Sequence, residues 1–200
     1  MIFKEISFEK DKAKYITPSW NQLDDLALNL VKQIQATDLH FDLVVALAKG
    51  AWPMSRSFLG YSGIKELASL GVKFYKGINE RLSKPEVYQE LPTSVSVKNK
   101  NVIIFDDVAD TGESLFFTKD YLLKLGVKSV KTATLLLKPR SILTPDFFAA
   151  KTDAWIIFPC ERREMIEVLG KSWQEQGISQ EEIKERYQKL GFMKVLKNVC

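Results

Sequence analysis

Apolar residues along this chain fall into two alternating patterns, one with helical spacing and one of short unbroken runs. Between residues 19 and 36, Leu23, Leu26, Leu30, Val31 and Ile34 share one helical face, and Ser19 stands where an N-cap belongs. Residues 41–47 then form a compact run rich in Val and Leu, which predicts a strand buried on both faces, as in parallel sheets. That run ends in Ala48-Lys49-Gly50-Ala51, and a helical stretch follows. Residues 72–75 predict a second strand, followed by a polar segment, 76–91, interrupted by breakers. Residues 102–105 predict a third buried strand, then a loop from Asp106 to Ser114, then a helix to about Leu125 stopped by Gly126. Residues 130–137 and 154–158 predict two more strands, closed by Lys138-Pro139 and by Pro159. The tail 163–200 reads as helices, with Ser179 and Glu182 spaced as a capping box.

Strands alternating with helices predict an α/β fold built on a mainly parallel central sheet flanked by helices. In such sheets ligands bind beyond the carboxyl ends of the strands. The polar and special residues of this chain gather at four such ends: 48–51, 106–114, Lys138, and 159–161. The length of 200 residues suits one main domain, read as 1–162, with 163–200 as a helical C-terminal extension.

Composition narrows the chemistry. With His40 the only histidine and Cys160 and Cys200 the only cysteines, neither a Cys/His zinc cluster nor a disulfide framework can be assembled. Ser-His-Asp and Cys-His catalysis fall away for the same reason. Nothing at the start reads as a signal peptide, and no apolar run approaches the ~18 residues of a spanning helix. A cytoplasmic protein without a membrane partner is therefore expected. The formal net charge of +4 suits an anionic ligand or nucleic acid without favouring either strongly. No DNA-binding extension is recognisable.

The central chemical signal is Val102-Ile-Ile-Phe-Asp-Asp-Val-Ala-Asp-Thr-Gly-Glu-Ser114. Asp106 and Asp107 can accept hydrogen bonds from a vicinal diol or hold a divalent cation through oxygen. The turn from Ala109 to Ser114 offers backbone N–H groups, the Thr111 and Ser114 hydroxyls and a helix N-terminus, which together cradle a phosphate. Gly112 lets the backbone come close to such a group. Carboxylates crowding an anion-binding turn make sense when a sugar or a metal lies between charge and phosphate. The string Asp106-Asp-Val-Ala-Asp110 also satisfies the DDxxD motif of prenyl transferases. That motif sits on helices, and the apolar run before it and Thr111-Gly112 after it argue against a helix here.

This segment closely resembles the PRPP-binding signature of type I phosphoribosyltransferases. The resemblance implies that Asp106 and Asp107 hold the ribose 2′- and 3′-hydroxyls, with Asp107 near a Mg²⁺ ion. It implies that Ala109, Asp110, Thr111, Gly112, Glu113 and Ser114 wrap the 5′-phosphate, and that Asp110 lies near purine N7 as the candidate for proton transfer. Glu113, often Gly or Lys in the family, would be tolerated with an outward side chain. Ala48, Lys49, Gly50 and Ala51 resemble the family's pyrophosphate loop, with Lys49 in place of Arg and Ala51 in place of a second Gly.

A strand-end lysine is ordinarily solvated, but Lys138 followed by Pro139 resembles the lysine with which 6-oxopurine enzymes donate to O6. Adenine would need an acceptor there instead. The segment 153–161 resembles the purine-stacking segment of bacterial xanthine-guanine phosphoribosyltransferases. Trp155 would stack on the base, main-chain carbonyls near Trp155 and Ile156 would accept from a 2-amino group, and Glu161 would be a further acceptor. Residues 76–91 take the place of the family's mobile hood loop, with Tyr75 and Arg81 nearby. The implied partners are PRPP, a purine base, and the pyrophosphate and nucleotide products, in a homodimer or homotetramer. Alternatives in the same frame are an adenine or pyrimidine phosphoribosyltransferase, and a regulatory protein that senses PRPP.

Overall fold

The computed structural model describes residues 3–77 and 80–199, with the side chains of 75–84 and 198–199 outside the description. In chain order its first elements are β1 (Ile6–Ser7), β2 (Lys14–Ile16), α1 (Trp20–Gln35), β3 (Leu43–Ala48), α2 (Trp52–Ser62), β4 (Glu66–Gly77) and β5 (Glu80–Gln89). Then follow β6 (Asn101–Ala109), α3 (Glu113–Lys124), β7 (Ser129–Leu137), β8 (Phe147–Lys151), β9 (Trp155–Ile156), α4 (Arg162–Glu175), α5 (Gln180–Lys189) and α6 (Met193–Val199). The chain divides into two compact units, 23–152 and 1–22 together with 153–200.

The larger unit carries a six-stranded sheet in the order β5-β4-β3-β6-β7-β8. Every pairing in it is parallel except β4 with β5, which is antiparallel at one edge. Its central strands are buried on both faces, which explains their unbroken apolar runs: Leu43 to Leu47 and Val102 to Phe105 are all buried. Alternate residues serve opposite faces. Leu43, Val45 and Ile104 join Leu115 and Leu122 of α3 in one cluster. Phe105 instead stacks on Phe58 of α2, ring centroids 4.5 Å apart.

Helix ends follow the sequence signals. The Gln22 N–H donates to Ser19 Oγ and the Ser19 N–H to Gln22 Oε1, a reciprocal cap on α1. Gly126, with φ at 81°, ends α3 in the left-handed region.

Three differences from the sequence reading have physical causes. β4 begins at Glu66 rather than 72, because Leu43 to Ala48 of β3 template Glu66 to Gly71 in parallel register. The weak strand formers Ala68, Ser69 and Gly71 are carried by that pairing. The interrupted segment 76–91 contributes β5, and Pro85 is tolerated because β5 is the edge strand. The backbones of Tyr75 and Arg81 pair across this hairpin, while their side chains lie outside the described residues. β8 was not anticipated, being a short edge strand without a clean alternation of buried and exposed residues.

The smaller unit has a three-stranded sheet, β1-β2-β9, and the helices α4, α5 and α6. The helical tail and the N-terminal strands share one core of Phe8, Tyr15, Ile157, Leu169, Trp173, Tyr187 and Phe192. Beside it Asp11 Oδ2 accepts from Tyr15 Oη at 2.6 Å and from Trp173 Nε1 at 2.9 Å. The buried Arg186 guanidinium lies over the Phe8 and Trp173 rings and donates to Glu182 Oε1 and the Glu9 carbonyl. Ser179 caps α5 by accepting from the Glu182 N–H. The Glu182 carboxylate serves Arg186, where the sequence reading expected it to complete a capping box. Among the described residues no helix is long and apolar enough to cross a membrane.

Burial pushes the Asp11 carboxyl up, but hydrogen bonds from Tyr15, Trp173 and Ala13 and the nearby Arg186 charge outweigh it and hold the group below its ordinary value. A depressed folded value stabilises above the unfolded pKa of about 3.9 and is lost as pH falls through the folded value. Asp11→Asn should therefore destabilise the protein at neutral pH, with the gap to wild type narrowing towards about pH 2. Urea denaturation at several pH values checks this, and a gap of constant size would exclude ionisation of Asp11 as the cause.

Candidate active site

The expected loop at 106–114 is strand for its first part. β6 continues to Ala109 because Asp106 pairs with Thr134, Val108 with Leu136 and Ala109 with Leu137 of β7. Asp106 and Asp107 thus lie at the carboxyl end of a strand anchored by four buried apolar residues, and both are half-buried. The Asp107 N–H donates to Asp106 Oδ1 at 3.0 Å. Burial first, and the adjacent Asp107 charge second, push Asp106 well above the ordinary carboxylate range.

The turn that follows is tight. Gly112 has φ at 79°, and a Cβ built on it would lie 2.4 Å from Ser141 Oγ and 2.9 Å from the Leu143 nitrogen. Glu113 and Ser114 open α3, whose first-turn N–H groups lack intrahelical acceptors and so favour an anion. The Glu113 side chain does not simply point outward: its Oε2 accepts from the Thr111 hydroxyl at 3.3 Å, while the Glu113 N–H donates to Thr111 Oγ1.

Beside this turn lies the loop after β3. The peptide between Ala48 and Lys49 is cis, Lys49 is exposed, and Ala51 is buried at the start of α2. A Cβ at Gly50 would fall 2.7 Å from both carboxylate oxygens of Asp107, so the loop backbone passes against that acid. A side chain at this position would require the Asp107 carboxylate to move. The Ala48 carbonyl accepts from Tyr88 Oη of β5 at 3.1 Å, and the Tyr88 ring fills the space a side chain at Gly71 would need.

The third contributor is the segment after β7. Lys138 is 6% exposed, which sets it apart from an ordinary solvated strand-end lysine. Its N–H donates to the Ala109 carbonyl at 3.0 Å, and the Ile142 N–H donates to the Thr111 carbonyl at 2.9 Å. Between them Arg140 donates to Asp110 Oδ1 through Nε at 2.8 Å and through Nη2. Neither Arg140 nor Tyr88 carries a periodicity or motif signal that sequence reasoning could have used.

The structure therefore brings together Ala48, Lys49, Gly50, Ala51, Asp106, Asp107, 109–114 and Lys138 within the larger unit. Trp155, Ile156 and Glu161 belong to the smaller one. There the Trp155 ring is 46% exposed, so it is not a core aromatic, and it lies 6.4 Å from the Tyr15 ring. Trp155 and Ile156 pair with Tyr15 and Ile16 along one edge of β9, which ends its sheet. Burial raises the Glu161 carboxyl above its ordinary value.

An acid pair, a tight glycine turn at a helix N-terminus and a buried lysine at neighbouring strand ends agree with the family comparison. A model of the phosphoribosyl transferase domain matches residues 19–163. The chain belongs to the phosphoribosyltransferase family. Its fold is the type I phosphoribosyltransferase fold expected from the sequence.

Among solved structures the phosphoribosyltransferase is similar to a purine phosphoribosyltransferase from Pyrococcus horikoshii Ot3. Identity is 30% and the TM-score 0.63, covering 72% of this chain and 92% of that one. It is 24% identical over 141 residues to the hypoxanthine-guanine phosphoribosyltransferase of Bacillus subtilis, 68% of this chain and 76% of that protein. A ribose-phosphate pyrophosphokinase of Thermococcus kodakarensis is 32% identical over 88 residues, 44% of this chain. The chain spans about a quarter of the length of such pyrophosphokinases, 28% for this one.

Gly112 and Gly63 separate backbone strain from crowding. Both have positive φ, but nothing lies within 4 Å of a Cβ at Gly63. Gly63→Ala should cost about 1 kcal/mol, and Gly112→Ala at least another ~1 kcal/mol because backbone must move. Chemical denaturation of the two variants checks the order; equal losses would mean that the turn is not close-packed.

Proposed function

We propose that this protein transfers the 5-phosphoribosyl group from PRPP to a 6-oxopurine (guanine, hypoxanthine or xanthine), forming the nucleotide and pyrophosphate in purine salvage. The observation that carries the reading is the contact of the Gly50 backbone with Asp107 beside the Gly112 turn. In this reading the acid pair binds the ribose diol and the two loops bind the groups on either side of it, as PRPP carries its ribose between a 5′-phosphate and a diphosphate. In this reading residues 1–162 act as the phosphoribosyltransferase domain and 163–200 as its helical extension.

Asp106 and Asp107 accept from the ribose hydroxyls, and hydroxyl donors there favour the charged form of Asp106 that burial opposes. Residues 109–114 hold the 5′-phosphate; to do so the Thr111 hydroxyl must exchange its bond to Glu113 for one to the phosphate. Lys49 and the amides of 48–51 hold the diphosphate. Lysine supplies charge without the bidentate fork of arginine.

The donor set fits Mg²⁺. Adjacent carboxylates supply hard oxygen ligands, and no group of three or more His, Cys, Asp or Glu suited to a metal exists among the described residues. Magnesium characteristically takes one or two carboxylates and completes its shell with substrate phosphates and water. Asp107 is the residue that would hold it, and bound there it would neutralise charge on the departing diphosphate.

As the C1′–oxygen bond to diphosphate breaks, the bonding pair leaves with the diphosphate and C1′ gains oxocarbenium character. Purine N9 supplies the new pair, and Asp110 takes the surplus proton near N7. Lys138 donates to O6 of the base. We further read the protein as cytoplasmic and as a homodimer or homotetramer.

Incubation with PRPP, Mg²⁺ and each of guanine, hypoxanthine, xanthine and adenine tests the reading, with nucleotide formation followed by absorbance. Nucleotide should form from 6-oxopurines in preference to adenine. Lys138→Ala should abolish most of that preference, and Asp110→Asn should lower kcat by about 10²-fold or more while PRPP binding changes little. Preference for adenine would move the base assignment; PRPP binding with no nucleotide from any base would favour a sensor.

A further inference from the structure

We propose that Arg140 is the positioning residue for Asp110, holding its carboxylate where it meets the purine proton; the inference rests on the reading given above. Both guanidinium donors, Nε at 2.8 Å and Nη2, fall on the single oxygen Oδ1 of Asp110. The segment that presents Arg140 is tied to the phosphate turn on either side of it. Lys138 N–H bonds the Ala109 carbonyl before it and Ile142 N–H the Thr111 carbonyl after it, at 3.0 and 2.9 Å. Ser141 closes the arch, its N–H donating to the Lys138 carbonyl and its hydroxyl to the Leu143 carbonyl. Arg140 therefore approaches Asp110 from a backbone whose own position is fixed by the loop it serves.

The ion pair is not there to hold the fold. The side chains of Arg140 and Asp110 are 63% and 46% exposed, and exposed pairs contribute little to stability. Geometry is a different matter. A proton acceptor must come within about 2.6–3.2 Å of its donor, and a misplacement of about 1 Å can reduce a rate ~100-fold. A short carboxylate on a turn has two rotatable bonds, and a two-point grip on one oxygen fixes both. Because Lys138 stands on the same arch, one segment sets the distance between the group that reads O6 and the group that takes the proton.

Arg140→Gln and Arg140→Lys, each made in the wild-type and Asp110→Asn backgrounds, test the assignment. Steady-state kinetics with the preferred base, PRPP titration by calorimetry, and thermal melts are the readouts. Arg140→Gln should lower kcat roughly 10- to 100-fold, with PRPP affinity within about threefold and an unchanged melting temperature. Arg140→Lys should recover only part, since an ammonium lacks the fork. In the Asp110→Asn background, Arg140→Gln should add no further loss. An equal further loss in that background, or a loss that appears in PRPP affinity, would overturn the proposal by showing that Arg140 serves another group. Wild-type protein inactive with every base would instead sink the phosphoribosyl-transfer reading itself, whereas an active wild type with an unimpaired Arg140→Gln variant sinks only the role of Arg140.

Discussion

The parallel register of β3, β6 and β7 is the constraint from which the site follows. Ala46 lies opposite Phe105 and Phe105 opposite Ala133, so the three strands run out at one edge of the sheet. Each then releases its own loop there: 48–51, the turn after Ala109, and the arch after Leu137. None of these loops is adjacent to another in sequence. They meet because buried Val, Ile and Leu side chains fix the strands to within one residue of register, and a slip of one would turn every side chain to the opposite face. The apolar core is thus what sets the spacing of the polar groups.

Register brings the loops near, but contact depends on side chains that are missing. At Gly50 the Asp107 carboxylate, and at Gly112 Ser141 Oγ with the Leu143 nitrogen, occupy the space where a Cβ would stand. The first brings the 48–51 loop against Asp107, and the second closes the 109–114 turn onto the 141–143 backbone. At Gly71 the same device works one strand further out, where the Tyr88 ring takes the vacant space and its hydroxyl reaches the Ala48 carbonyl. The three glycines thus let a carboxylate, the 141–143 segment and a tyrosine ring each come up against bare backbone.

This explains what could be read from the residues in order. The buried strands were legible because a strand covered on both faces must be apolar throughout, and Leu43 to Leu47 and Val102 to Phe105 could be little else. The Thr111-Gly112 turn was legible because it directly follows such a strand, whereas Asp106 and Asp107, read as loop, lie within β6 because β7 extends the pairing to Ala109. β5 and β8 were not legible, since edge strands need no continuous apolar run and take their pairing from a neighbour distant in sequence. Arg140 was hidden for a related reason. Its partner is 30 residues away, and a lone arginine in Lys138-Pro-Arg-Ser141 looks like any solvated charge until the arch is folded back on the turn.

Three acids beside an anion-binding turn pose an electrostatic problem, and the fold answers it differently for each. Asp106 is countered by burial, which raises its pKa and lowers its tendency to carry charge before a ligand arrives. Asp107 lies against the Gly50 backbone, and in the proposed function Mg²⁺ would offset its charge. Asp110 is balanced by the Arg140 guanidinium, which offsets its field at the neighbouring helix N-terminus. The three devices are not interchangeable. A proton acceptor must keep an accessible lone pair, which burial would deny it and an arginine gripping only Oδ1 does not. In the proposed reaction, an arginine at Asp110 and burial at Asp106 therefore form the arrangement that leaves Asp110 able to act as a base.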